Sequence, residues 1–452
     1  MRLRIMSGLL LALVALPQAT EELFITSEHP RLLLNSRRLK LLRRERVRES
    51  IRWQQFQTLM TGGVPMPEPG FANALYYRIA DDAEAGRRAV EWALAPQTDL
   101  RQLAIVFDWC QPLLDNNQSA AIAARLRAGL DAATGARDLP AVRSAVMAAI
   151  ALAGHNPDAE RLLNELIRKK WQEDLTPKLG VETVPFPLHE TYALYELIHT
   201  VRDNTGMDLR DSARAFFKTF PAYHLLAHYP ASYPAGENDF RIPVSDAEKE
   251  PDLRRASLSR AAELSMVAYD TNAVESQFVQ GWLINDRFLM RGPFGAPYEF
   301  LWANPYQPGL SYFHMPLVFH DPATGRLILR SSWEEDAQWF GHLEGWTQLF
   351  ENGRMVKVRT RTKQPPVRMG EATVVFAGSG LRFRGGGDNG SELFVVGLTP
   401  SQEYEVEIDD REMFEQTADA GGILSISISK GAVAGVRIRE VAQPGQSPRN
   451  RP

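Results

Sequence analysis

Cysteine is nearly absent from this sequence of 452 residues: Cys110 is the one cysteine. A single cysteine excludes an internal disulfide and a thiolate metal cluster. Stability must therefore come from the burial of apolar side chains, which a chain of this length can supply. Cys110 ends the apolar segment Ala104–Cys110, so we predict that it is a small core residue.

Long hydrophobic runs are also absent. The apolar stretch Ile5–Leu16 is too short to span a bilayer, and no later stretch reaches the roughly 18 residues that a membrane helix needs. It follows a basic start, Met1–Arg4, and precedes Pro17–Ala19, which is the arrangement of a secretory signal peptide. We predict a signal peptide over residues 1–19 and a periplasmic or secreted mature protein with no membrane span.

A strong excess of either charge is missing too. Removing residues 1–19 takes away Arg2 and Arg4 and no acid, so the net charge falls from −4 to −6. An acidic chain is not expected to bind nucleic acid, and a polyanionic ligand would need a local cationic patch. The sequence has no phosphate-binding glycine loop and no Gly-x-Ser-x-Gly motif, and we predict no cofactor.

Helical periodicity dominates residues 29–290. Apolar residues such as Leu162, Leu163 and Leu166 follow helical spacing, and Pro140 and Gly154 are a start and a stop signal. Short connections between the segments indicate antiparallel helical hairpins. The pattern is compatible with a bundle, a solenoid or an α/α toroid, and periodicity alone does not choose among them.

Past residue 316 the period changes to two. Apolar residues alternate with polar ones in Glu403–Asp409 and again in Leu424–Ser429, as in half-buried antiparallel strands. We predict a β-sandwich over residues 317–442, with a turn at Gly421-Gly422. The Pro- and Gly-rich stretch 291–316 is predicted to be a non-helical junction, and 443–452 a disordered tail.

Three segments resemble the heparinase II/III-like polysaccharide lyases. The first, His29–Leu34, reads His-Pro-Arg-Leu-Leu-Leu and leads into a basic helix. The second is the helix Arg143–Gly154 followed by Asn156–Glu160, similar to the family's repeated helical hairpins. The third, Gly325–Ala337, contains Arg-Ser-Ser-Trp, similar to a family strand that ends in Arg-Ser-x-Trp. With the helix-then-strand order, the resemblance covers most of the chain.

This resemblance implies a multidomain α + β fold. An N-terminal incomplete α/α toroid of helical hairpins would occupy residues 20–290, and a C-terminal antiparallel β-sandwich would follow, with the substrate cleft where the two meet. The sequence departs from the family twice. Leu139–Val142 stands where active members carry Asn-His, and Gly341–Thr347 stands where many carry His-x-His-x-Asp. The family's metal-linked site is therefore not expected here.

A polysaccharide lyase needs an acid and a base near the sugar, and groups that neutralise the uronate carboxylate. Pro187–Tyr195 is the richest stretch for such groups, and the family's acid/base Tyr lies on a helix start of this type. His189 and Tyr192 are three residues apart and would share one helical face. We predict catalytic roles for His189 and Tyr192, and for His314 as the residue of the β domain that reaches over the cleft.

Aromatic and cationic residues are the candidates for substrate binding. Tyr229, Tyr233 and Arg241 belong to a segment that resembles cleft-lining loops of the family, and Arg241 would bind a carboxylate bidentately. Trp302 would be a sugar-stacking platform or part of the domain interface.

Further cations alternate with uncharged residues. On a strand, the row Lys357, Arg359, Arg361 and Lys363 would project from one face, to bind a polyanion or to guard a sheet edge. The basic run Arg37–Arg48 is predicted to be a solvated helix face.

His224 and His228 are four residues apart, which is the spacing of a metal pair on a helix. No His-Glu-x-x-His pattern accompanies them, so we predict no metal site.

The leading hypothesis is an exported polysaccharide lyase that acts by β-elimination on a uronate-containing glycan. A second hypothesis is a protein of the same fold that has lost catalysis and binds a glycan or a protein partner. A third is a glycoside hydrolase, because α/α toroids also host hydrolysis by two carboxylates. Its candidate acids are Glu182, Glu190, Asp239 and Asp246.

Overall fold

A computed structural model describes most of the chain. The described residues are 25–96, 99–133, 135–180, 184–231, 253–286, 290–343, 346–386, 392–429 and 431–441. The predicted signal peptide and the predicted tail lie outside them. None of the described helices combines the length and the apolar character that a bilayer-spanning segment requires.

Thirteen α-helices occupy the first two thirds of the described chain. They are α1 (Ser36–Val47), α2 (Ile51–Thr61), α3 (Pro69–Ala80), α4 (Ala83–Leu94), α5 (Leu100–Trp109), α6 (Asn116–Ala133), α7 (Leu139–Leu152), α8 (Ala159–Leu166), α9 (Thr191–Thr205), α10 (Arg214–Leu226), α11 (Leu253–Tyr269), α12 (Val274–Asp286) and α13 (Gly295–Trp302). A π-helical segment, Ile167–Leu175, continues α8.

These helices form two layers, and the sequence of each helix explains its layer. In α7, every residue from Ala145 to Leu152 is buried, as expected for a helix that is apolar on all sides. In α6, the buried residues Ile122, Leu126 and Leu130 form a single stripe, as expected for an outer helix.

The inner helices pack in succession, and each contacts the next but one in the sequence. α3 packs on α5, α5 on α7, α7 on α9, α9 on α11, and α11 on α13. α4, α6, α8 and α12 pack on the outer side of their neighbours, and α13 ends the arc against α2. This is the arrangement of an α/α toroid, so the prediction of a toroid of helical hairpins is confirmed.

The segment before α1 is fastened to the toroid by one buried carboxylate. Asp108, on α5, accepts hydrogen bonds from the backbone amides of Arg31 at 2.9 Å and Leu32 at 2.7 Å, and contacts His29 Nδ1 at 2.5 Å. Asn204 adds a bond from its side-chain amide to the carbonyl of Arg31. The His-Pro-Arg-Leu segment therefore has a structural role: it closes the toroid across α5 and α9.

Thirteen strands follow the helices. They are β1 (Val318–Asp321), β2 (Arg326–Arg330), β3 (Trp339–Leu343), β4 (Trp346–Glu351), β5 (Arg354–Lys357), β6 (Val367–Met369), β7 (Ala372–Phe376), β8 (Arg382–Gly386), β9 (Glu392–Val396), β10 (Glu403–Ile408), β11 (Glu412–Thr417), β12 (Ile423–Ser427) and β13 (Val433–Glu440).

The strands form three sheets. The first is an antiparallel meander of β1 to β5, the second has the order β12-β9-β7-β6, and the third has the order β11-β10-β13-β8. One apolar cluster joins the first sheet to the second, and another joins the second to the third. The predicted β-sandwich is confirmed in its antiparallel character except at one place: β7 and β9 pair in parallel.

The first sheet also packs on the helices. Leu327 and Leu329 of β2 face the second sheet, whereas Ile328 between them belongs to the same core as the toroid. Trp339 on β3 donates its indole N–H to the carbonyl of Leu226 at 2.8 Å, and Arg326 donates to the carbonyl of Val184. The two parts of the molecule thus share one continuous core.

The Arg-Ser-Ser-Trp segment stabilises this boundary. Arg330 is buried and donates to the backbone carbonyls of Ser332 and Glu334, while its guanidinium lies 4.7 Å from the centre of the Trp333 ring. Trp333 donates to the carbonyl of Met315.

The prediction of a helix-free junction over residues 291–316 is wrong, because α13 lies inside it. Pro297 is the third residue of this helix, where the missing amide would have no intrahelical partner in any case.

Asp108→Ala should lower the free energy of unfolding by about 3–5 kcal/mol, because it leaves two backbone amides and the guanidinium of Arg31 buried without their acceptor. Denaturant unfolding followed by circular dichroism measures the change. Asp115→Ala is the matched control, since Asp115 caps α6 at the surface and should cost about 1 kcal/mol. Equal losses in the two variants would contradict the role given to Asp108.

Candidate functional site

The predicted catalytic residues do not meet in one site. His189 lies in a 3-10 turn, Leu188–Glu190, and is exposed, whereas Tyr192 lies on α9 and is 3% exposed. The prediction that they share a helical face is wrong, because the α-helix begins only at Thr191. His314 is exposed in another 3-10 turn and lines a different cavity, between the toroid and the sheets.

Tyr192 belongs instead to a buried ionic network on the inner helices. Its hydroxyl donates to Glu196 Oε1 at 2.7 Å and accepts a hydrogen bond from Trp302 Nε1 at 3.0 Å. Glu196 is fully buried and accepts two bonds from Arg101, at 2.7 and 2.8 Å, and a further one from Arg143. These contacts join α5, α7, α9 and α13.

The charge states in this network are fixed. Burial alone would raise the pKa of Glu196, but the guanidinium groups of Arg101 and Arg143 outweigh it and lower the pKa to about 2. Burial raises the pKa of Tyr192 well above its ordinary value, and the carboxylate of Glu196 adds to the shift. The Tyr192 hydroxyl therefore holds its proton firmly, which is opposite to what a proton acceptor in β-elimination requires.

The network leads to a cavity of about 720 Å³ near the carboxyl ends of α9, α11 and α13. We call it the arginine pocket. It is lined by Asn35, Arg37, Arg38, Lys40, Leu41, Arg44, Arg202, Ala268, Tyr269, Asp270, Thr271, Asn272, Leu301, Trp302, Asn304 and Tyr306. Five of these residues are cations and one is an acid.

Arginine–aromatic stacking organises the arginine pocket. The guanidinium of Arg38 lies 3.9 Å from the centre of the Trp302 ring, that of Arg202 lies 3.7 Å from Tyr269, and that of Arg44 lies 4.1 Å from Tyr306. Each stack occupies the face of the guanidinium and fixes its plane.

Arg38 is the innermost of these cations. Its Nη1 is buried and has no hydrogen-bond partner among the described residues. Burial lowers the pKa of Arg38 to about 10, so the group is still charged at neutral pH. A buried donor without an acceptor typically costs about 1–3 kcal/mol, and an anion that enters the pocket would supply the missing acceptor.

The arginine pocket changes the interpretation of the basic run Arg37–Arg48. Arg43 and Arg46 face away from the pocket and pair with Asp81, as a solvated helix face would. Arg37, Arg38, Lys40 and Arg44 line the pocket instead. One side of α1 thus supplies most of the local cationic patch that a polyanion would need.

Two of the predicted substrate-binding residues are structural. Tyr229 is 1% exposed, donates to Gln348 Oε1 at 2.5 Å and stacks on Phe350, so it joins the toroid to the first sheet and is closed to a ligand. Trp302 is 2% exposed and its ring carries Arg38, so the prediction of an open sugar platform is wrong. Tyr233 and Arg241 lie outside the described residues.

The predicted cationic row is not a strand. β5 ends at Lys357, and a turn over residues 359–362 follows, in which the amide of Thr362 donates to the carbonyl of Arg359. Lys357 and Arg359 are both exposed, but the strand geometry that would align the four cations is missing.

The hydrolase hypothesis depended on four acids, of which Glu190 is the one described. Its carboxylate accepts the backbone amide of Leu139 at 3.1 Å and so caps α7. Glu182, Asp239 and Asp246 lie outside the described residues, so a pair of carboxylates across a cleft stays a prediction.

Comparison with known proteins leaves the site to stand on its geometry. A scan against family models gives no match, and a search of curated proteins gives none either. One of the solved structures that match is described as a glycoside hydrolase, with a TM-score of 0.30 and 12% sequence identity, over 86% of this chain and 72% of that chain. A TM-score this low carries no argument about fold or function.

Tyr192→Phe should destabilise the protein by about 1–3 kcal/mol, because the indole N–H of Trp302 loses its acceptor and the carboxylate of Glu196 loses a donor. Denaturant unfolding measures the loss. Tyr195→Phe is the matched control on the same helix, since Tyr195 is buried against Phe217 and has no side-chain hydrogen bond among the described residues. A loss no larger than that of the control would contradict the network.

His199, which contacts Trp302 and Tyr269, should make stability depend on pH. Burial lowers its pKa well below the ordinary value of 6.5, and Arg38 and Arg202 lower it further. The folded state thus favours neutral His199, so its contribution is complete above pH 6.5 and decreases as the pH falls below it.

His199→Gln, which keeps a donor for the carbonyl of Ser265, should reduce the decline in unfolding free energy below pH 6.5 by about 1.4 kcal/mol per pH unit. Denaturant titrations at a series of pH values measure it, with exposed His314→Gln as the control. An unchanged pH profile in His199→Gln would show that His199 does not titrate with unfolding.

Proposed function

We propose that this protein binds an acidic glycan outside the cytoplasm and that the arginine pocket holds the acidic group. One observation carries the proposal: five cations against one acid surround an open cavity, on a chain whose net charge is negative. Such a concentration of positive charge on an acidic protein favours an anionic ligand at that place.

The stacked arginines suit a carboxylate or a sulfate. The in-plane N–H groups of a guanidinium form a fork that matches the two oxygens of a carboxylate. Since the rings occupy the faces of Arg38 and Arg44, any anion must approach the edges, where these donors lie. Arg202 already donates to the carbonyl of Tyr269 and to Asp203, so it contributes charge more than free donors.

Polar and aromatic groups beside the arginines suit a sugar. Tyr306 is 46% exposed, so part of its ring remains open at the rim. Thr271, Asn272 and Asn304 line the same cavity and offer hydroxyl and amide groups for sugar hydroxyls. The volume of about 720 Å³ lies within the range of small-molecule sites, roughly 300–1,000 Å³, so a short segment of an acidic chain would fit.

β-Elimination of such a glycan stays a prediction that comes from the resemblance to polysaccharide lyases. The geometry of His189 and Tyr192 does not support them as its acid and base. We therefore favour binding as the primary activity, with catalysis dependent on groups other than this pair. The export of the protein is part of the proposal and depends on the predicted signal peptide.

Arg38→Gln and Arg44→Gln should each weaken binding of a uronate oligosaccharide at least about tenfold, since a hydrogen bond to a charged group contributes roughly 1.5–3 kcal/mol. Calorimetric titration with alginate, heparan, chondroitin and glucuronan oligosaccharides measures it. Binding should also weaken with added salt, because the rim cations are exposed. Ultraviolet absorbance of an unsaturated uronate in the same incubations tests for elimination.

Two controls make this test specific. Arg43→Gln removes the same charge from α1 but on the side that faces Asp81, so it should leave affinity within about twofold. The same oligosaccharide with its carboxylates methyl-esterified keeps the sugar rings and should bind weakly. Equal affinity for the ester, or an equal loss in Arg43→Gln, would refute the arginine pocket as the site.

A further inference from the structure

We propose that the protein contains a site for a divalent transition metal, with Zn²⁺ the expected ion, in the core of the toroid. Four side chains supply the donor atoms. They are His224 on α10, His228 just beyond its end, and Ser259 and Glu263 on α11. The proposal does not depend on the arginine pocket and assigns a function to the His224–His228 pair that the sequence analysis left without one.

Local sequence spacing creates the site. His224 and His228 are four residues apart, as are Ser259 and Glu263, and residues at this spacing lie on the same face of a helix. The two pairs face each other across the contact between the end of α10 and α11: His224 Nε2 lies 3.3 Å from Glu263 Oε1 and 3.2 Å from Ser259 Oγ.

The distances between the donors fit a tetrahedral metal. His228 Nε2 lies 3.7 Å from Glu263 Oε1 and 3.1 Å from Ser259 Oγ. Zinc binds nitrogen and oxygen ligands at roughly 2.0–2.1 Å, so neighbouring ligands around a tetrahedral ion are about 3.3–3.4 Å apart. The four measured separations, 3.1 to 3.7 Å, bracket that value, so one ion would reach all four atoms with small adjustments.

The protonation pattern of His228 also suits a metal. Its Nδ1 lies 2.9 Å from the backbone carbonyl of His224, which can only accept, so Nδ1 carries the proton. Nε2 then has a lone pair directed at the other three donors. Metal-binding histidines usually donate their second ring nitrogen in this way, since the bond fixes the tautomer and orients the ring.

Burial and the neighbouring charges define the character of the site. His224, His228, Ser259 and Glu263 are each at most 4% exposed. Glu263 Oε2 pairs with Arg260 at 3.1 Å, which leaves Oε1 for the metal and fixes the plane of the carboxylate. Two imidazoles favour zinc and its first-row neighbours over Ca²⁺ or Mg²⁺, which prefer oxygen ligands.

The position of the site indicates a structural role. His228 immediately precedes Tyr229, which packs on Phe350 and bonds to Gln348 of the first sheet. An ion held by His228 and Glu263 would therefore fasten α11 to the chain segment that joins the toroid to the sheets. Loss of the metal should loosen this boundary and leave the arginine pocket, on other elements, in place.

Metal binding to the purified full chain tests the proposal. After treatment with a chelator and its removal, the wild type should take up about one equivalent of Zn²⁺, measured by elemental analysis after dialysis. Co²⁺ in its place should give the intense visible absorption of a tetrahedral complex. The midpoint of thermal unfolding should fall on chelation and recover when Zn²⁺ is added back.

Variants locate the site. His228→Gln and Glu263→Gln should each abolish stoichiometric uptake and the cobalt spectrum, whereas the exposed-residue controls His189→Gln and His314→Gln should bind as the wild type does. If the core variants fail to fold, uptake and the cobalt spectrum of the wild type still decide. No uptake by the wild type would overturn the proposal, as would uptake that survives His228→Gln or is lost in His155→Gln, beside the separate pair His29–His155.

Discussion

The carboxylate of Glu196 lies out of water among the inner helices, and much of the molecule is arranged to keep it charged there. Arg101 and Arg143 neutralise it from α5 and α7, and Tyr192 donates to it from one turn earlier on α9. An isolated buried charge would cost many kcal/mol, so each of these partners must be in place when the helices pack. The same network continues through Tyr192 to Trp302, and Trp302 carries the guanidinium of Arg38.

This arrangement connects the centre of the toroid to the arginine pocket. Arg38 is one of the cations that the proposed ligand would meet, and its plane is set by a ring whose indole N–H is held by the axial network. A long arginine side chain at the surface would lose much conformational entropy when it binds an anion. Here the ring has already restricted Arg38, so less of that entropy remains to be lost at binding.

The parts of the fold that follow local periodicity could be predicted. The alternation in Glu403–Asp409 matches β10, and α11 begins and ends where its apolar pattern does. Alternation alone could not reveal the turn after Lys357, which depends on tertiary contacts. For the site, an acid inside an apolar run was the available signal: Glu196 and Asp108 are such acids. Their partners come from distant helices, which no local pattern identifies.

The segment around Arg31 has a consequence for the order in which the molecule assembles. Its anchors, Asp108 and Asn204, follow it in the chain by 77 and 173 residues. The first ordered residues to be synthesised are therefore among the last that can find their place, and they must wait until α5 and α9 exist. Contacts of such long sequence separation slow folding. A chain built this way stays open at its start for as long as the toroid is incomplete, a state compatible with passage through a membrane before folding.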